Sequence, residues 1–172
     1  MFLLLGAIMK VEHELKPFYN QDSKILILGT MPSVKSRELG FYYAHPKNRF
    51  WWVLSQVYQE ELPTTIKEQK KFLTKHHIAL FDVLKNCTIE GSSDASIKDP
   101  IPNDLSPILK NSQIKTIFTT GKKAYQLYQK HIYPKTKIQA ISLPSTSPAY
   151  AKKDIKEYLR HEYQIIKEYT KK

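Results

Sequence analysis

Cysteine is nearly absent from this chain of 172 residues, since Cys87 is the only one. A single thiol excludes a disulfide framework, a zinc site of four thiolates and an iron–sulfur cluster held by this chain alone. A reducing compartment is therefore the default, and we expect a cytoplasmic protein. Long apolar runs are missing as well, because none reaches the roughly 18 residues that a membrane helix needs. We expect no membrane association.

The opening segment, residues 1–9, is apolar but too short to span a membrane. It has no basic stretch before it and no small-residue cleavage site, which argues against a secretory signal peptide. Three interpretations stay open: a first strand, a frayed terminus, or extra residues upstream of a start at Met9.

Metal-ligand spacing is also missing. His76 and His77 are adjacent and so point in different directions, and neither they nor His45 has a well-spaced third ligand. We expect no metal and no cofactor. Cys87 would need a paired histidine and an activating field to act as a nucleophile, so a buried structural thiol is favoured.

Positive charge is what the chain has in excess. Lys and Arg number 27 against 16 Asp and Glu, a net charge of +11. Residues 110–172 hold 14 of these cations and 4 of the acids, so nearly all the surplus lies in the last third of the chain. The positive electrostatic field of such a segment attracts polyanions. A lysine-rich surface that binds no nucleic acid would have the same composition, so charge alone does not identify the partner.

Apolar patterning predicts the fold class. The chain is long enough for one domain with a sizeable core. Short apolar runs predict buried strands at residues 24–28, 78–83, 116–119 and 138–143. Helical spacing predicts helices at residues 48–58, 66–76, 122–131 and 152–169, and residues 91–107 are expected to be irregular. We expect residues 1–172 to form one α/β domain, a three-layer α/β/α sandwich with a central four-stranded, mostly parallel sheet.

Ligands of such folds bind beyond the carboxyl ends of the parallel strands, so the loops there should form one site. The first loop contains Gly29, Thr30, Met31 and Pro32, in which the glycine permits close backbone approach and the proline stiffens the turn. By itself this pattern is weak evidence for a binding site.

Two further loops carry more polar groups. Residues 42–51 place Tyr, His, Asn and Arg side chains close together in the sequence just before a predicted helix, as a binding loop would. The same run could also be a tyrosine-rich loop that packs on its own helix. Residues 144–148 place hydroxyl groups and amide donors before the basic last helix, which suits either a phosphate site or a simple helix cap.

The motifs in these loops resemble a known family when taken together. They occur in this order: Gly29-Thr30-Met31-Pro32; Tyr43 with His45-Pro46-Lys47-Asn48-Arg49-Phe50-Trp51; Phe81-Asp82-Val83 with Cys87 and Gly91-Ser92-Ser93-Asp94; and Pro144-Ser145-Thr146-Ser147-Pro148. They resemble the uracil-DNA glycosylase superfamily, and most closely its hypoxanthine-DNA (deoxyinosine) glycosylase branch. The resemblance runs from about residue 23 to residue 169, and the N-R-F-W run and the S-T-S-P loop are its specific parts.

The resemblance implies roles for the residues that face the base. The loop with Gly29, Thr30 and Met31 would lie over the sugar and the attacking water. Tyr43 would stack on the flipped base. Asp82 would read the base edge, although it could equally be a buried carboxylate satisfied by backbone amides.

The resemblance also implies a catalytic amide and a DNA-binding surface. Other branches carry a catalytic Asp or Asn near Thr30 or Met31, where this chain has no residue that can act as a base. In the hypoxanthine branch the important amide belongs to the H-P-x-N motif, here Asn48, which could instead be a helix N-cap. The remaining residues that we expect to contact DNA are His45, Ser145, Thr146, Ser147, Lys152 and Lys153.

The expected function is that of a monofunctional, monomeric DNA glycosylase in base excision repair. It would flip a deaminated base, above all hypoxanthine, and hydrolyse its N-glycosidic bond with water to leave an abasic site. Lys47 lies near the motif, but the resemblance implies water and not a lysine nucleophile. Two alternatives stay open: a glycosylase acting mainly on uracil or mismatched uracil, and a silent module that binds damaged DNA, since Met31 occupies a catalytic place in relatives.

DNA affinity should fall steeply with salt, because the cations of residues 110–172 would release counterions from phosphates. We expect the slope of log affinity against log salt to be steeper than about −2, which corresponds to more than two phosphate contacts. Replacing Lys152 and Lys153 with Ala should weaken binding to all sequences alike without changing which base is released. A slope shallower than this would contradict the expectation that the protein binds DNA.

Overall fold

A four-stranded parallel sheet forms the centre of the molecule in the computed structural model, which describes residues 8–12, 15–90 and 97–171. Its strands lie in the order β3 (Ile78–Asp82), β2 (Ile25–Gly29), β6 (Thr116–Thr120), β7 (Ile141–Leu143). Every residue of β2 and β3 is buried, which requires that both faces of the sheet be covered. The predicted α/β class with a central parallel sheet is confirmed.

Eight helices surround this sheet within the described ranges. They are α1 (Val34–Leu39), α2 (Phe50–Tyr58), α3 (Ile66–Lys75), α4 (Ser106–Lys110), α5 (Lys122–His131), α6 (Tyr133–Thr136), α7 (Ile155–Glu162) and α8 (Ile165–Thr170). The helices predicted at 48–58, 66–76 and 122–131 correspond to α2, α3 and α5. None of the helices in the described part of the chain is long and apolar enough to cross a membrane.

The final helix differs from the prediction of one helix over residues 152–169. It begins at Ile155, after Asp154 in the left-handed region at φ 54°, and it is divided into α7 and α8. Leu159, Tyr163 and Ile166 are nonetheless fully buried along one face. The apolar spacing therefore identified part of the buried face, since Leu159 and Ile166 follow it, but local backbone geometry set where the helices begin and end.

A second, three-stranded antiparallel sheet is absent from the sequence-based prediction. Its strands lie in the order β1 (Ile8–Glu12), β4 (Leu84–Glu90), β5 (Ile97–Pro102). The prediction that residues 91–107 are irregular is wrong for β5 and α4, while residues 91–96 lie outside the described residues. The prolines of β5 argue against a strand when only the sequence is considered. They are tolerated there because β5 is an edge strand.

Candidate active site

Three strand ends bring polar groups to one point. Gly29 ends β2, Asp82 ends β3 beside it, and Thr120 ends β6. A Cβ atom placed on Gly29 would lie 2.7 Å from Asp82 Oδ1, 3.3 Å from the Tyr43 hydroxyl and 3.7 Å from Thr120 Oγ1. The first distance is shorter than real Cβ contacts, so a side chain at this position would require the Asp82 carboxylate to move. We call Gly29, Tyr43, Asp82 and Thr120 the strand-end cluster.

Tyr43 reaches this cluster from the loop that precedes α2. Its backbone is in the left-handed region at φ 55°, its hydroxyl lies 3.3 Å from Thr120 Oγ1, and its ring stacks on Phe50 with centroids 3.8 Å apart. Burial raises the pKa of the Tyr43 hydroxyl, and the Asp82 carboxylate raises that pKa further. The hydroxyl is therefore protonated at neutral pH. The loop does pack on its own helix, and it carries Tyr43 into the site at the same time.

Hydrogen bonds hold the backbone of this loop from three sides. The Tyr42 hydroxyl donates to the carbonyl of Lys16 at 2.8 Å, and Trp51 Nε1 donates to the carbonyl of Tyr42 at 3.1 Å. The backbone N–H of Ala44 donates to Ser36 Oγ at 3.0 Å. The positions of Tyr43 and of the residues that follow it are thus determined by buried contacts rather than by a free loop.

Asn48 uses one end of its amide and leaves the other available. Its Oδ1 accepts a hydrogen bond from the Phe50 N–H at 2.9 Å, and its own N–H donates to the carbonyl of His45 at 2.9 Å. The Asn48 NH₂ group donates to no other residue in the described ranges. The alternative that Asn48 is the N-cap of α2 is wrong, because the N-cap is Arg49 and its side chain makes no capping hydrogen bond. The contact of Asn48 with the Phe50 N–H still fixes the direction of the amide that a catalytic role would use.

Arg49 is a site residue that sequence reasoning did not single out. Its N–H donates to the carbonyl of Thr146 at 3.0 Å, and its guanidinium donates to the carbonyls of Ser147 at 3.0 Å and Tyr150 at 3.2 Å. Arg49 thereby joins the loop before α2 to the loop after β7. Its partners are distant along the chain, so only its position between Asn48 and Phe50 could have marked it.

The loop after β7 is internally hydrogen-bonded. Ser145 Oγ accepts from the Ser147 N–H at 3.1 Å, and Ser147 Oγ accepts from the Ala149 N–H at 3.2 Å. Thr146 is only 2% exposed. The predicted position of these hydroxyls at a helix N-terminus is wrong, because α7 begins only at Ile155.

The other predicted site residues lie around these loops. Thr30 is buried and its carbonyl accepts from the Leu84 N–H at 3.1 Å, while Met31 packs against the core. His45 is exposed, and its Nδ1 accepts from the Lys47 N–H at 3.0 Å.

The two lysines predicted to bind DNA precede α7. Both are exposed, and Lys152 Nζ lies 3.9 Å from the ring centroid of Tyr158. In the described part of the chain, no three His, Cys, Asp or Glu side chains are grouped so as to hold a metal ion.

A cleft of about 560 Å³ opens beside the loop that carries Tyr43 and Asn48. Both residues line it, together with Trp52, Lys156 and the segment before α3. We call it the Trp52 cleft. Its volume is within the range of roughly 300–1,000 Å³ that is usual for ligand sites.

Comparison with known proteins defines the class to which this fold and site belong. The model of the uracil DNA glycosylase superfamily matches residues 16–167. The chain belongs to that superfamily, and the resemblance inferred from its motifs is confirmed at this level.

Two curated relatives carry a more specific name, hypoxanthine DNA glycosylase. The protein from Methanosarcina barkeri (strain Fusaro) is 35% identical over 111 residues, which cover 63% of this chain and 70% of the relative. The protein from Methanosarcina acetivorans is 34% identical over 134 residues, 76% of this chain and 82% of the relative. An NMR structure from M. acetivorans with a provisional uracil DNA glycosylase assignment has a TM-score of 0.75 and 26% identity, over 92% of this chain and 99% of that one.

Arg49→Met should loosen the loop after β7, because it removes the guanidinium contacts to Ser147 and Tyr150. Hydrogen bonds from a charged group contribute about 1.5–3 kcal/mol, so we expect the free energy of unfolding to fall by about that amount. Amide hydrogen exchange of residues 145–150 should become faster. The exposed Arg160→Met on α7 is the matched control and should leave both measurements nearly unchanged. Equal exchange in the two variants would contradict this role for Arg49.

Proposed function

We propose that this protein is a monofunctional DNA glycosylase that releases hypoxanthine from deoxyinosine and leaves an abasic site. The observation that carries the proposal is the amide of Asn48, whose carbonyl is held by Phe50 while its NH₂ group remains available. The strand-end cluster and the names of the two curated relatives support the same substrate class.

The target nucleotide must leave the base stack before it can enter this site. The ring of Tyr43 is held by Phe50 and borders the Trp52 cleft, so it can offer a rigid surface to the flipped base. Stacking on an aromatic side chain is worth about 1–3 kcal/mol per base, which offsets part of the unstacking cost. The Tyr43 ring, and not its hydroxyl, supplies this contribution.

Asp82 reads the edge of the base that deamination changes. Deamination converts the acceptor nitrogen N1 of adenine into the N1–H donor of hypoxanthine. A carboxylate only accepts hydrogen bonds, and with about four lone-pair sites it can serve more than one donor. Asp82 thus favours the deaminated base over adenine, whose N1 lone pair it would repel.

Bond cleavage places negative charge on the departing base and positive charge on the sugar. The Asn48 NH₂ group donates to the departing base, and it can also orient the attacking water. A single donor of this kind typically contributes roughly 10²–10³-fold in rate. The oxygen of water bonds to C1′ as the bond from C1′ to the base breaks, and the proton that water loses leaves with the base or solvent.

The DNA backbone lies against the loop after β7 and the lysines that precede α7. Arg49 holds the backbone carbonyls of Thr146 and Ser147, so this loop meets the duplex as a rigid element. Lys152 and Lys153 supply positive charge next to it. Ser145, Ser147 and the two lysines position phosphates and do not select the base, whereas Thr146 is only 2% exposed and supports the loop from inside.

Asn48→Asp is the decisive substitution, because a carboxylate can still accept from the Phe50 N–H but cannot donate. We expect single-turnover release of hypoxanthine to fall at least about a hundredfold, roughly 2.7 kcal/mol of transition-state stabilisation. Alkaline cleavage of DNA containing deoxyinosine measures this rate. The melting temperature and DNA affinity should change little. Asn111→Asp, at the end of α4, is the control, and equal rates for parent and Asn48→Asp would leave Asn48 with a structural role only.

Tyr43→Ala should slow release most when the base must first leave a paired duplex, since stacking then offsets the unpairing cost. Tyr43→Phe should be mild, because the ring and its contact with Phe50 remain. The measurement compares single-turnover rates on single-stranded and duplex substrates that contain deoxyinosine. Equal loss on both substrates in Tyr43→Ala would assign Tyr43 a structural role only.

The same cluster favours uracil as the second candidate substrate, because deamination of cytosine likewise converts ring nitrogen N3 from an acceptor into an N–H donor. Parallel assays on hypoxanthine and uracil, opposite matched and mismatched partners, rank the two bases. Specific binding to damaged DNA without release of either base would instead make the protein a binding module.

A further inference from the structure

Trp52 is an aromatic residue beside the candidate active site for which the proposed mechanism has no use. Its neighbour Trp51 is 5% exposed and donates to the Tyr42 carbonyl, so Trp51 belongs to the core. Trp52 is only partly buried and borders both the Trp52 cleft and a second cleft of about 530 Å³. A large aromatic ring that stays partly in water beside a cleft is well suited to contact a ligand.

The two clefts differ in the balance of the charges that line them. Lys47, Arg49 and Lys156 line the Trp52 cleft, and no carboxylate is among the described residues that line it. The neighbouring cleft has a mixed lining, with Asp154 and Glu157 beside Lys156 and Arg160. Arg49 already donates to backbone carbonyls of the loop after β7, so Lys47 and Lys156 are the cations available to an anion in the Trp52 cleft.

The cation and the aromatic ring lie together. Lys156 Nζ is 4.9 Å from the ring centroid of Trp52, within the range of a cation–π contact. Leu62, which also lines the cleft, is 47% exposed and adds apolar surface. An aromatic face beside exposed lysines matches a nucleotide, whose base stacks on the ring while its phosphate contacts the cations.

The position of the Trp52 cleft relative to Tyr43 and Asn48 indicates which nucleotide it would bind. Tyr43 and Asn48 line the same cleft as Trp52 and Lys156, so a strand that delivers its base to Tyr43 continues past Trp52. We propose that the Trp52 cleft binds an unpaired nucleotide next to the target on the same DNA strand, with its base on Trp52 and its phosphate at Lys156. This proposal rests on the proposed function for the identity of the strand, but its test needs no turnover.

The test uses undamaged single-stranded probes and the whole chain. One probe is a labelled oligothymidylate, and the other is an abasic sugar-phosphate strand of equal length. Anisotropy gives the affinity of the parent, Trp52→Leu, Trp52→Phe and Lys156→Met. Lys130→Met, at the far end of α5 from the strand ends, is the control for loss of charge. Tryptophan emission of the parent reports stacking directly, because Trp51 is buried.

We expect Trp52→Leu to weaken oligothymidylate binding about tenfold and to leave the abasic strand within about twofold of the parent. Trp52→Phe should retain most of the affinity. Lys156→Met should reduce the salt slope by about one, whereas Lys130→Met should not. Oligothymidylate should quench the parent's tryptophan emission more than the abasic strand does.

Equal affinity of Trp52→Leu and the parent for oligothymidylate would overturn the proposal, as would equal quenching by the two probes. If Trp52→Leu fails to fold, two other measurements decide whether the nucleotide site exists. They are the quenching of the parent's tryptophan emission by the two probes and the salt slope of Lys156→Met. A parent that shows the expected binding but releases no hypoxanthine would refute the proposed function and leave this nucleotide site standing. Normal release together with unchanged binding by Trp52→Leu would refute only the nucleotide site.

Discussion

The close approach at Gly29 is the constraint on which the candidate site depends. A Cβ atom there would lie 2.7 Å from Asp82 Oδ1 and 3.3 Å from the Tyr43 hydroxyl, so a side chain would force the carboxylate out of its present position beside the Tyr43 and Thr120 hydroxyls. Parallel pairing places Gly29 opposite Asp82 at the ends of β2 and β3. The strand register and the absence of a side chain at Gly29 together place the polar strand-end cluster at the edge of an otherwise apolar sheet.

The loop that covers this point combines structural and chemical roles in the same residues. Phe50 supports the ring of Tyr43 and donates its N–H to Asn48, so the start of α2 orients both groups that the mechanism uses. Arg49, between them, holds the loop after β7. A change in this segment would therefore alter base stacking, catalysis and DNA contact together, which is why conservative variants such as Asn48→Asp are needed to separate them.

Much of the parallel sheet could be predicted, because runs such as residues 25–28 are continuously apolar and a buried parallel strand requires that pattern. The antiparallel sheet could not be, since β5 contains prolines that are compatible only with an edge strand, and edge status depends on neighbours. The break between α7 and α8 was missed because both helices bury one continuous apolar face. Thr120 and Arg49 were missed as site residues because their partners are distant in the sequence.

The sequence by itself determined the family, the fold class and the loops that form the site, because motif order and apolar periodicity are properties of the linear chain. Only the tertiary structure decided which groups meet. The approach of Asp82, Tyr43 and Thr120 to Gly29, the free NH₂ group of Asn48 and the pairing of Trp52 with Lys156 all depend on how separate elements pack. Distances between such elements follow from strand register and side-chain packing, and neither is encoded in any local stretch of residues.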